Sequence, residues 1–427
     1  MKKLTAIVIG AGGRGRTYAD IMKSLGDRFG VVGVAEPIEA RRNYVCENHG
    51  IPEENACDTW EKILDRPKFA DIAIIATMDR MHKGPALKAI ELGYDLLLEK
   101  PVAPTPEDCA EILAAAREKG CKILVCHVLR YTNAFRALKK YIDDGLVGEV
   151  VSVNHLESVG YAHQSHSFVR GNWGNSEESS TMLLQKSCHD IDILQWLVGK
   201  ECKRVQSFGS LRYFRPENAP EGAPEVCFEG NCPHEDTCLY SVKRIYKSNL
   251  PGFWFKHYVA EHTNPSDEAL DNALRTKKFG KCIYKCGNDV VDHQIVNMEF
   301  EDGLTVNFTM TAFANFGRQI RLMGTKGELW ANVQDKEASY FNYMTGETTK
   351  LPLNLSNVDD SIAGGHGGGD YGIVYDLYDY INGNIDTKEL SEIEISCKNH
   401  MLVFAAEQSR LEGTVVDVEE FQKKYGI

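Results

Sequence analysis

The sequence predicts an α/β protein in two parts. A doubly wound parallel sheet comes first, followed by an α+β part built on a large, mostly antiparallel open sheet. Three observations carry this. Up to residue 127, short continuous apolar runs alternate with helical segments. The first run leads directly into Gly10-Ala11-Gly12-Gly13-Arg14-Gly15. From Val150 onward the apolar positions alternate with period two.

The runs in the first part are LTAIVI (Leu4–Ile9), VVGVAE (Val31–Glu36), DIAIIAT (Asp71–Thr77), DLLLE (Asp95–Glu99) and KILVCH (Lys122–His127). Continuous apolar strands separated by helices imply a parallel sheet covered on both faces. The helix after the fourth run starts with Thr105 as cap, Pro106 at its first position and Asp108 closing a capping box.

The glycine string is G-x-G-x-x-G between the first strand and the first helix, where a dinucleotide fold needs it. Gly10 permits the tight turn, Gly12 lets backbone approach a pyrophosphate, and Gly15 lets helix pack on strand. Gly13 and Arg14 fall at the helix N-terminus that faces the anion. Glu36 ends the second strand, suited to a ribose diol and repelling a 2′-phosphate. NAD is therefore expected over NADP, with Arg41 and Arg42 close by as the opposing signal. Ligands bind beyond the carboxyl ends of strands in such sheets. That places Thr77, Arg80, His82, Glu99, Lys100 and His127 among the cofactor-site candidates.

In the second part a helix is expected over Ala134–Asp144, followed by strands such as VVSVNHLES and LTVNFTMTAF. Val306, Phe308 and Met310 share one face; Asn307, Thr309 and Thr311 share the other. One face is buried and the other is free to bind substrate or another subunit.

Net charge is −13 with no Lys/Arg run, which argues against sequence-independent nucleic-acid binding. No apolar stretch reaches the length of a membrane span. Thirteen Cys without an export signal point to a cytoplasmic protein with thiols or metal ligands rather than disulfides. Five of these cysteines fall in CFEGNCPHEDTC and CIYKC. Cys227, Cys232, Cys238 and Cys282 are the candidate ligands of a structural zinc, with plain thiols as the equal alternative. They lie in a Cys-containing insertion expected over residues 215–285.

Taken together, GAGGRG, Glu36, ATMDRMH, LLLEKPV, RALKKYIDDGLVGEV and HDIDILQWLVG resemble the Gfo/Idh/MocA family of nicotinamide-dependent sugar and inositol dehydrogenases. The resemblance covers nearly the whole chain. It implies a Rossmann domain over residues 1–127 and a substrate-binding and oligomerisation domain over 128–427, with a homodimer or homotetramer expected. It also implies hydride transfer between a nicotinamide and a carbohydrate hydroxyl carbon. By position, Lys100 matches the family's active-site lysine and His189 the helix histidine that handles the alcohol proton. An imidazole titrates near neutrality and suits that task.

One departure stands out. Many members carry an Asp four residues before the histidine; here that residue is Gln185, followed by Lys186. On one continuous helix Lys186 and His189 share a face. Lys186 therefore joins the catalytic candidates, with a lysine rather than a supported histidine as base. Arg130, Arg170, Trp173 and Asp192 are the candidates for holding substrate, with core packing an even alternative for Trp173. The expected activity is an NAD-dependent dehydrogenase acting on a sugar, glycoside or cyclitol. The alternative is an NAD-retaining glycoside hydrolase or lyase that oxidises the sugar transiently and eliminates the aglycone.

Overall fold

A computed structural model describes residues 2–248, 255–261, 265–315, 317–354 and 366–427. The first sheet contains β1 (Leu4–Ile9), β2 (Phe29–Ala35), β3 (Ala56–Cys57), β4 (Ile72–Ile75), β5 (Asp95–Leu98) and β6 (Ile123–Val125). All its pairings are parallel, in the order β3-β2-β1-β4-β5-β6. Five of these strands are the apolar runs of the sequence. The sixth, β3, is two residues long, too short for an apolar pattern to reveal. Ile72–Ile75 and Leu96–Leu98 are fully buried, as strands covered on both faces must be. The Thr105 hydroxyl caps helix Pro106–Lys119 by accepting from the Asp108 N–H. The second half of the capping box does not form, because the Asp108 carboxylate goes to Lys83.

The second sheet has nine strands, ordered β14-β13-β12-β11-β7-β10-β9-β8-β15. They are β7 (Val150–Ser158), β8 (Cys202–Ser210), β9 (His293–Phe300), β10 (Thr305–Thr311), β11 (Gly317–Gly324), β12 (Gly327–Asn332), β13 (Glu337–Asn342), β14 (Thr348–Pro352) and β15 (Val416–Asp417). Only β7 and β10 pair in parallel. Val306, Phe308 and Met310 are buried, and the intervening residues of β10 are not. The other face is open. Phe208, Ile295, Thr309, Leu156 and Gln319 form one cross-strand row on it. A groove of about 650 Å³ lies on this open face, lined by Asn154, Asn307, Arg321 and Trp330, away from the first sheet.

Two features tie the halves together. Helix Gly369–Asn382 packs against the first helix, Gly13–Ser24. Helix Ile393–Glu412 packs against helices Pro106–Lys119 and Cys188–Val198. Between β8 and β9 the chain leaves the sheet for residues 211–292. There it builds its own apolar clusters around Tyr246, Phe255 and Leu274 and around Phe214, Tyr240 and Ile283. No helix among the described residues is long and apolar enough to cross a membrane.

Candidate active site

The glycine turn is built as its spacing demands. Gly10 has φ +88°, and a Cβ there would lie 2.6 Å from the Ala76 carbonyl oxygen. A Cβ on Gly15 would lie 1.9 Å from the Gly10 carbonyl oxygen, so strand and helix can touch only through glycine. A Cβ on Gly12 would meet nothing within 4 Å. That open space lies beside the start of helix Gly13–Ser24. No side chain caps this N-terminus, and no acidic residue lies in its first turn. Bare N–H groups at a helix N-terminus suit a pyrophosphate. At the end of β4 the Thr77 hydroxyl is buried with no partner among the described residues. Free space, an uncapped helix start and an orphan hydroxyl together fit a dinucleotide.

Glu36 is buried, and its carboxylate accepts from the N–H groups of Ala11 (2.7 Å) and Ile38 (3.0 Å). The second-strand acid is thus locked to the glycine turn, in place for a diol. The other strand-end residues serve the scaffold. Arg14 is not free for phosphate. It binds Glu99 (2.6 Å), both Asp370 oxygens (2.6 and 3.0 Å) and the Tyr18 hydroxyl. Glu99 also accepts from Tyr18 (2.7 Å), and although burial opposes it, Arg14 and Lys100 hold its carboxyl below the usual range. His82 is 1% exposed and bridges the carbonyls of Pro101 (2.7 Å) and Thr77 (3.2 Å). Arg80 is exposed and reaches across to the Ser176 carbonyl at 3.0 Å.

Lys100 follows β5, at a cis Lys100–Pro101 bond. Its Nζ donates to the main-chain carbonyl of Gln185 at 2.7 Å. His189 is 7% exposed and meets the ring of His127 edge-on at 5.7 Å. His127 is fully buried, and neither ring nitrogen has a hydrogen-bond partner among the described residues. Burial holds its imidazole below the ordinary value. Lys100, His127 and His189 are therefore gathered around the end of the first sheet, as their positions in the sequence suggest.

Lys186 is not on the His189 face. Helical structure stops at Gln185 and resumes at Cys188, so the shared-face argument from a continuous helix fails. The chain turns at Lys186-Ser187 and sends the lysine to β7, where Nζ lies 3.0 Å from Glu157. Glu157 also pairs with Arg318 (2.9 Å), which pairs with Asp190 (2.7 Å), which in turn bonds His155 (2.8 Å). Burial lowers the Lys186 ammonium pKa, and Glu157 opposes the shift.

Three of the four substrate candidates are also placed otherwise. Arg130 and Asp192 form a buried bidentate pair at 2.7 and 2.8 Å, with Asn399 donating to Asp192 at 2.6 Å. Neither side chain reaches an open surface. Arg170 is fully buried, donating to the carbonyls of Lys281 (2.9 Å) and Tyr240 (2.8 Å) inside the 211–292 segment. Trp173 is half-buried near Phe168, and its indole N–H has no partner among the described residues. Among the four, only Trp173 Nε1 and the buried Arg170 Nη1 lack a partner among the described residues.

The zinc expectation is not supported. Cys227, Cys232, Cys238 and Cys282 do line one small cavity, of about 20 Å³, together with Arg170 and His234. All are free thiols, and among the described residues no three His, Cys, Asp or Glu side chains are arranged to hold a metal ion. Burial pushes the Cys227, Cys238 and Cys282 thiols up, the state of packed thiols.

Sequence reasoning missed four participants. The Lys100 acceptor is a main-chain carbonyl, which no side-chain pattern reveals. Glu157 and Arg318, which fix Lys186, come from strands distant in sequence. Tyr258 lies against Gly13: a Cβ there would meet its ring at 3.2 Å.

Known proteins agree with this architecture. Residues 4–127 match the oxidoreductase family's NAD-binding Rossmann fold, and residues 139–352 match the same family's C-terminal alpha/beta domain. YteT of Bacillus subtilis (strain 168), which carries an oxidoreductase name, is 26% identical over 381 residues, 85% of this chain and 86% of that one. A 2,7-anhydro-N-acetylneuraminate hydratase of Mediterraneibacter gnavus is 30% identical over 211 residues, 49% of this chain and 53% of the relative. A structure of levoglucosan dehydrogenase with NADH and levoglucosan superposes with a TM-score of 0.70 at 18% identity, covering 98% of this chain and 100% of that one. With both halves matched and the glycine turn, Lys100 and His189 in place, the chain belongs to the Gfo/Idh/MocA oxidoreductase family.

Proposed function

We propose that this protein transfers hydride between NAD and a hydroxyl-bearing carbon of a sugar, glycoside or cyclitol. The observation that carries the reading is that Lys100 bonds the Gln185 carbonyl and His189 packs on His127, near the end of a sheet whose glycine turn has room for a dinucleotide. NAD when bound supplies the hydride acceptor. The chain's own residues do the rest. Glu36 faces the ribose diol, and the helix start at Gly13 receives the pyrophosphate. Oxidising the alcohol requires removing its O–H proton as hydride departs. His189 takes that proton, and Lys100 donates to the same oxygen, held in place by the Gln185 carbonyl. Lys186 carries no proton in this scheme; it balances the buried Glu157 carboxylate.

The hydratase relative supports a second reading, in which the oxidation is transient and the reaction returns hydride to the product. One screen separates the two. Sugars, glycosides and cyclitols are offered with NAD while NADH formation and aglycone release are both followed. A dehydrogenase accumulates NADH with substrate. Release or addition chemistry without net NADH selects the second reading, and neither signal with any member of these classes sinks both. The open face of the second sheet, with Phe208 and Trp330 exposed on it, supports a dimer or tetramer, which sedimentation velocity reads directly.

A further inference from the structure

The 211–292 segment is more than an ornament on the second sheet. Its short helix Phe255–Ala260 is anchored on one side. The Phe255 ring is 1% exposed and stacks on His166 at 4.2 Å, and Phe279 stacks on the same imidazole at 5.1 Å. Val259 is fully buried in a cluster with Leu270 and Leu274. Tyr258, three residues from Phe255, is a neighbour of this anchored face, and its ring lies 6.3 Å from the same His166 imidazole. The Tyr258 ring, 54% exposed, lies against Gly13 at the first residue of the pyrophosphate helix. Just beyond, Glu261 reaches toward Arg41 (4.0 Å), on the helix that follows Glu36. One element of the insertion thus touches both loops that would hold a dinucleotide.

From this contact we propose that Tyr258 is a cofactor-binding residue and that the insertion keeps NAD(H) resident between turnovers. The inference rests on the NAD-dependent reading above. The ring sits against the uncapped helix start, where the pyrophosphate of the proposed cofactor would lie. Its backbone cannot swing away without pulling Phe255 and Val259 out of packed surroundings, which makes exit slow. The Glu261–Arg41 contact is long and exposed, and it adds little. A resident cofactor changes the reaction's balance. Hydride leaves the carbinol carbon for the nicotinamide, and the O–H proton passes to a base of the site. The same hydride then returns to a carbonyl carbon, either that of the reacted sugar or that of a second carbonyl compound. No external oxidant is consumed.

The test is retention of NAD by the full chain. Protein is loaded with NAD, passed through gel filtration, denatured, and its supernatant assayed for nucleotide. Wild type retains close to one NAD per chain, Tyr258→Phe matches it, and Tyr258→Ala falls below about a tenth. Stopped-flow release of NADH, followed by fluorescence, is at least about tenfold faster for Tyr258→Ala than for wild type. Tyr258 is half exposed, so its loss leaves the fold intact, which a thermal melt checks. If wild type and Tyr258→Ala both release NAD within the filtration, residence is refuted. Equal retention by both refutes the role of Tyr258. Absence of NAD binding to wild type in a fluorescence titration overturns the NAD-dependent reading itself, an outcome distinct from rapid release.

Discussion

The mouth of the first sheet and the insertion between β8 and β9 surround their buried histidines differently. At the mouth, two side chains carry buried polar atoms without a partner among the described residues. Thr77 keeps an unbonded hydroxyl, and His127 has two unbonded ring nitrogens among the described residues. In the insertion and the π-helical turn Gln164–Val169 beneath it, the histidine and the arginine are enclosed by packing, and Arg170 Nη1 and the Gln164 amide are themselves buried without a hydrogen-bond partner among the described residues. The His166 imidazole is sandwiched between two phenyl rings, and the Arg170 guanidinium donates to two carbonyls. An unsatisfied buried polar atom costs about 1–3 kcal/mol. Orphan atoms occur in both regions, so they do not by themselves mark the site; at the mouth Thr77 lies against the open glycine turn, where a ligand has room. By type alone, His166 and Arg170 look as functional as His127 and Lys100.

The largest expected effect falls on the mouth. Lys100→Met lowers kcat by about 10²–10⁴-fold, the usual worth of a positioned proton-handling group. NAD affinity, read by fluorescence titration, stays within a few-fold of wild type. A variant with near-normal kcat would break the comparison, since Lys100 would then be one more support. Next comes Lys186, which the two regions leave between them. Lys186→Met removes a cation from a buried network and destabilises the fold by about 3 kcal/mol, the low end for a broken buried pair, because Arg318 still faces Glu157. Urea denaturation reads this. The pH–rate profile of the remaining activity keeps its limbs; a displaced limb would return Lys186 to the proton path.

The smallest effect belongs to the sealed region. Burial drives the His166 pKa down to about 3. Its folded value is below the unfolded value of about 6.5, so the unfolded chain binds the proton first. Stability from this group is complete above about pH 6.5 and is lost as pH falls toward 3, at about 1.4 kcal/mol per pH unit. His166→Phe keeps the ring sandwich and removes that slope. Thermal melts between pH 7 and 4.5 should show the variant losing less than wild type. Equal losses would mean that His166 does not set the acid limit.

The parts of the site that were legible in the sequence are those fixed over short distances. Gly15 is dictated by a contact within one strand-turn-helix unit, and Gly10 by the φ of +88° that its turn requires. Lys100 sits one residue past a buried acid at a strand end, and His189 lies near the start of a helix that is buried almost all round. Arg130, Asp192, Arg170 and Lys186 read wrongly for one common reason. A charged residue near a site looks the same in sequence whether it faces solvent, substrate or another charge. The partner that decides lies far away: 62 residues for Arg130–Asp192, and 128 for Asp190–Arg318, the pair linked to Lys186 through Glu157.

The sequence by itself determined the parallel sheet and the glycine turn, and it singled out Lys100 and His189 as candidates. Local periodicity and glycine sterics act within a few residues of chain, so they can be read without knowing the fold. Only the tertiary structure decided which charges are neutralised, that the cysteines share a cavity without forming a metal site, and that Tyr258 of the insertion lies on Gly13. Those outcomes depend on which strands and segments are brought side by side, and burial then makes every unpaired charge choose a partner.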